Sequence, residues 1–71
     1  MASTMDGVIT IVQESRFQLT DGAGVGHLFI LSPYAAAETD QLPALRFHRV
    51  RVRYSPARNT IGNIASAVSL L

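Results

Sequence analysis

The sequence has no cysteine, tryptophan or lysine, and charged residues fill 15% of its 71 positions. Without cysteine, neither a disulfide nor a thiolate metal site can staple so small a fold. An average soluble domain carries about 25% charged residues, so the polar cover is thin and self-association is expected. No apolar run approaches the ~20 residues a membrane-spanning helix requires. The opening MASTMDG lacks a basic segment ahead of an apolar core, which predicts no secretory leader. With the missing cysteines, this points to a reducing cytoplasm.

The length accommodates one domain, which buries roughly 60% of its unfolded surface and needs few elements and short loops. A net charge of +1 conceals a division within the chain. Residues 1–40 carry five acids against Arg16, net −4, while residues 41–71 carry Arg46, Arg49, Arg51, Arg53 and Arg58 with no acid, net +5. Two readings follow: the halves neutralise each other across neighbouring strands, or the basic half forms an anion-binding face.

Residues 1–6 read as a flexible N-terminus and 7–71 as one domain. Val8 to Val12 is rich in β-branched residues, with Thr10 on the wetter face and Ile9 and Ile11 inward. Arg16 to Thr20 alternates, setting Phe17 and Leu19 on one face. Asp21-Gly22 signals a tight turn, and His27 to Leu31 supplies a third strand. Ser32-Pro33 reads as a helix start with Ser32 as N-cap, followed by Ala35, Ala36, Ala37 and Glu38. Pro43 breaks that helix, leaving Leu42 and Leu45 on a second short turn. Arg49 to Tyr54 is the cleanest strand, with Val50, Val52 and Tyr54 inward and three arginines outward. Ile61 to Leu71 fits both a helical stripe and an alternating strand. The edge of an open sheet favours the strand.

Three strands, a short helical segment and two strands give an all-β fold: a small five-stranded OB-fold-like Greek-key barrel with its helical segment between strands 3 and 4. SH3-like barrels lack a sizeable helix at that point. From Gly7 almost to its end, the chain resembles the cold-shock domain, an OB-fold that binds single-stranded RNA and DNA. GVITIV stands where that family opens, ESRFQLTD at its first RNA-binding motif (usually KGFGFI), GHLFILS at its second (usually VFVHFS), and GNIASAV at its closing strand. Phe17 matches one aromatic of the first motif. Leu19 stands where a second would be, and Leu28, Ile30 and Leu31 replace Phe, His and Phe of the second motif. Aliphatic side chains cannot stack under bases, so the departures leave an apolar face suited to a protein partner or a second copy of the chain.

No catalytic constellation emerges. The run Gly22 to Gly26 lies between two strands with no helix to offer its N-terminus to a phosphate. His27 and His48 lack metal-ligand spacing. Ser32 with His27 as base is accounted for by capping, and Glu14 and Asp21 lie seven positions apart at strand ends. Tyr34 and Phe47 are expected to plug the barrel bottom. The cluster that remains is Arg49, Arg51 and Arg53, with Arg16, Arg58 and Phe17 as further candidate contacts to nucleic acid. The expectation is a non-enzymatic binding module without metal or cofactor, taking single-stranded RNA or DNA. Its alternative is a structural or interaction module that pairs with itself or another protein through an aliphatic sheet face.

Overall fold

The computed structural model describes residues 3–35, 41–56 and 62–71. They form β1 (Ser3–Gln13), β2 (Arg16–Thr20), β3 (Gly26–Leu31), α1 (Leu42–Leu45), β4 (Arg49–Pro56) and β5 (Asn63–Leu70). The sheet closes in the order β1-β2-β3-β5-β4 and back to β1, with β3 and β5 parallel and the other neighbours antiparallel. This is the OB-fold-like Greek-key barrel that the element order predicts. Ile61, at the head of the ambiguous segment, lies outside the described residues.

Ser3 to Asp6, expected outside the domain, are the first residues of β1 and pair with Tyr54 to Arg51 of β4. The second half of β1 pairs with β2, and the register shifts between Ile9 and Ile11. Thr10 occupies this bulge, its hydroxyl 3.1 Å from that of Thr20 and 3.4 Å from the Gln18 carbonyl. One extra residue reverses which parity faces inward. Gly7 and Ile9 are buried, but Val12 rather than Ile11 packs against the core beyond the bulge. Ile11, expected inside, is 55% exposed.

A second register shift, opposite Arg53 and Tyr54, sets Arg53 against Ala67 and Tyr54 against Ala65. Ser66 lies between these partners and donates its hydroxyl to the Arg53 carbonyl at 3.2 Å. The inward positions Ala65 and Val68 are therefore three apart. A bulged strand thus imitates the spacing of a helical stripe, which explains the ambiguity of the sequence here.

The core comprises Ile9, Phe17, Leu19, Phe29, Leu31, Leu42, Val50, Val52 and Ala65. Phe17 and Phe29 are cross-strand partners with stacked rings, centroids 5.4 Å apart. Tyr54 meets Phe29 edge-on at 5.2 Å, one of the favoured arrangements of aromatic pairs. Leu42 on the single turn of α1 is buried within this cluster, with Leu45 packed against it. These leucines take the plugging role expected of Tyr34 and Phe47, which are 95% and 69% exposed. Residues 33 and 34 form a turn, and 36–40, where the first helix was expected, lie outside the described residues.

Candidate nucleic-acid interface

Alternation along β4 buries Val50 and Val52 and leaves Arg49, Arg51 and Arg53 exposed on the opposite face. At 3.3 Å per residue, the row spans about 13 Å. Its centre is already engaged. Asp6 is the β1 partner of Arg51, whose Nε donates to Oδ1 at 2.8 Å and whose Nη2 donates to Oδ2 at 3.1 Å. This hydrogen-bonded contact, reinforced by the charges of Arg51 and Arg49, holds the Asp6 carboxyl below the usual aspartate value. The same contact raises the Arg51 pKa. Among the described residues, no carboxylate lies within ion-pair distance of Arg49 or Arg53.

The segment entering β4 adds an aromatic ring. Phe47 has φ of 71°, in the left-handed region that a bulky side chain rarely adopts. Its N–H donates to the Ile9 carbonyl at 2.6 Å, while the Ile9 N–H reaches the His48 carbonyl at 3.4 Å. These bonds continue the β1–β4 ladder beyond the Val8–Arg49 pair. The Arg46 guanidinium lies 5.0 Å from the centroid of the Phe47 ring, and His48 and Arg49 are exposed beside it in sequence. In the sequence, the signal for this exposed ring is its place within Arg46-Phe47-His48-Arg49, among basic residues rather than apolar ones.

Of the other candidate contacts, the two among the described residues do not join this row. Phe17 is 1% exposed and stacked on Phe29, so it cannot present a face to a base. Arg16 is on β2, across β1 from the row, at a groove of about 250 Å³ lined by Ile11, Gln13, Arg16, Phe17, Gln18 and Leu28. Arg58 lies outside the described residues.

The strand-register pairs Ile11–Gln18–Leu28 and Gln13–Arg16–Ile30–Ile64 run across this outer face. Ile11, Leu28 and Ile64 are exposed and Ile30 is half-buried. Of the aliphatic residues expected here, Leu28 and Ile30 lie on the face and Leu19 and Leu31 are buried, as is Phe17, while Ile11 and Ile64 complete it. The strand 2–3 face is where OB barrels commonly take oligonucleotides, and here it presents aliphatic and amide groups with one arginine.

The His27 Nε2 is 2.8 Å from Asp21 Oδ2. Asp21 Oδ1 accepts from the backbone N–H groups of Ala23 and Val25, at 2.9 and 3.0 Å. Led by the His27 bond, these contacts lower the Asp21 pKa. Asp21 thus organises the β2–β3 connection, where Gly24 supplies a φ of 83°. The Ser32 Oγ accepts from the Tyr34 N–H at 3.1 Å. Among the described residues, no group of three potential ligands could hold a metal, and no helix is long and apolar enough to cross a membrane. Comparison with family models, curated proteins and solved structures finds no match to the chain.

Proposed function

We propose that this barrel is a non-enzymatic module that binds single-stranded nucleic acid weakly and with little base preference along β4. The observation carrying this reading is the exposed, outward row of Arg49, Arg51 and Arg53, placed on one strand by the burial of Val50 and Val52. Guanidinium groups suit phosphate because each offers several donors and keeps its charge at all physiological pH values. The resemblance to the cold-shock domain supports the same ligand class. Phosphate neutralisation by two or three arginines predicts a log-log salt slope of about −1.4 to −2, at ~0.7 per contact. The dissociation constant is expected to be no tighter than roughly micromolar at physiological salt.

The test is fluorescence anisotropy of a labelled mixed-sequence DNA strand and its RNA counterpart over a salt series. Absence of binding to either at low salt would reject the reading. A second reading draws on the exposed Ile11, Leu28 and Ile64: an interaction module whose aliphatic outer face meets another protein surface. A concentration-dependent mass, together with no nucleic-acid binding, would favour that alternative.

A further inference from the structure

We propose that Phe47 is a base-stacking platform at the entry to the β4 arginine row, receiving one unpaired base while Arg49 and Arg53 hold the adjoining phosphates. The inference rests on the nucleic-acid reading and adds to it a named stacking contact. Phe47 is 69% exposed, so its ring is not needed to fill the barrel, where Leu42 is the fully buried residue among the described residues of the crossover. Its left-handed backbone would suit glycine. A bulky residue in that conformation is an outlier, and such positions concentrate at functional sites. The hydrogen bond to Ile9 fixes the residue against β1, reducing the conformational freedom a ligand would have to remove.

Arg46 strengthens the assignment. Its guanidinium lies over one face of the ring, 5.0 Å from the centroid, which brings a cation to the site and leaves the opposite face for the base. Phe47 also precedes Arg49 by two residues and is exposed like the arginines, which sets it next to the start of the row. Tyr34 is more exposed, but no arginine stacks on it among the described residues. Base stacking tolerates any sequence because every base has a π-face, which accords with the weak base preference proposed above.

Two variants test the assignment against a labelled oligothymidine strand. Phe47→Gly removes the ring and suits the positive φ, so it should melt no lower than the parent. Its affinity should fall roughly 5- to 150-fold, the range for one lost stacked base, with the salt slope unchanged. Phe47→Trp supplies the only tryptophan of the chain, and its emission should be quenched as the strand binds. Unaltered affinity in the glycine variant would overturn the proposal, as would unquenched emission while anisotropy reports binding. If the parent gives no rise in anisotropy at low salt, the nucleic-acid reading fails and the stacking role falls with it.

Discussion

Asp6 and Arg51 face each other across β1 and β4, joined by two hydrogen bonds of 2.8 and 3.1 Å at the centre of the basic row. The pair reconciles the two readings of the divided charge: an acid of the first half neutralises an arginine of the second, while Arg49 and Arg53 flank it. In Asp6→Asn, Arg51 becomes available to phosphate. Single-strand affinity should rise and the salt slope should steepen by about 0.7, as read by anisotropy. Because the folded Asp6 pKa is lowered, this acid contributes stability above the ordinary aspartate range near 4 and loses it as pH falls through the folded value. Asp6→Asn should lack that component, so its urea midpoint should change less than the parent's between neutral and acidic pH.

Asp21 gives an acid dependence without an arginine. Its carboxylate receives two backbone N–H groups and pairs with His27, and its pKa is lowered. The sign is the same: the contribution is present above the unfolded value and lost on acidification below it. Asp21→Ala should reduce the urea midpoint at neutral pH, with the difference from the parent shrinking at about pH 3. A difference that grows on acidification would contradict this role.

Val52 is wholly buried and pairs with Met5 on β1 and Val68 on β5. Val52→Asp would place an unpaired carboxylate at that position. The penalty, above roughly 4 kcal/mol, is comparable with the ~4 to 10 kcal/mol expected for a chain of this length. The variant should be unfolded by near-ultraviolet circular dichroism and lack a cooperative melt. Gly7→Ala tests a different limit, because an added Cβ would meet the Thr20 carbonyl oxygen at 2.5 Å. A loss of about 1 to 3 kcal/mol in urea unfolding is expected.

Ile11 separates association from folding. It is 55% exposed on the outer face, so Ile11→Glu should change stability by within about 0.5 kcal/mol. Light scattering should show the parent gaining mass with concentration and the variant remaining monomeric. A parent that stays monomeric at high concentration would remove self-pairing from the second functional reading and leave it only a different protein as partner.

The strand pattern of β4 was legible because one unbroken alternation carried it. Ile9, Val50 and Val52 therefore appear where the sequence places them. Ile11 was misplaced because the bulge at Thr10 depends on how β1 meets β2, and alternation continued through a bulge has the wrong parity. Ser3 to Asp6 look unstructured alone; their order comes from β4, some 50 positions away. Alternation is enough to set Phe17 and Leu19 on one face, but the family likeness turns that face outward as a stacking surface, whereas packing on Phe29 turns it inward. The exposure of Phe47 is only faintly legible in the sequence because apolar character suggests burial, whereas its left-handed backbone is held by a contact distant in sequence. The arginine row was visible locally, but its neutralised centre required knowledge of the Asp6 register.

The divided partnership of β1, with β4 along its first half and β2 along its second, affects how the molecule opens. Detaching β2 or β4 requires breaking hydrogen bonds to a strand that the other also uses. Native-state amide exchange should therefore reveal one opening free energy across the paired residues of β1, β2 and β4. Cleavage within these strands would then proceed from fully unfolded molecules rather than a half-open barrel, making its rate a measure of global stability.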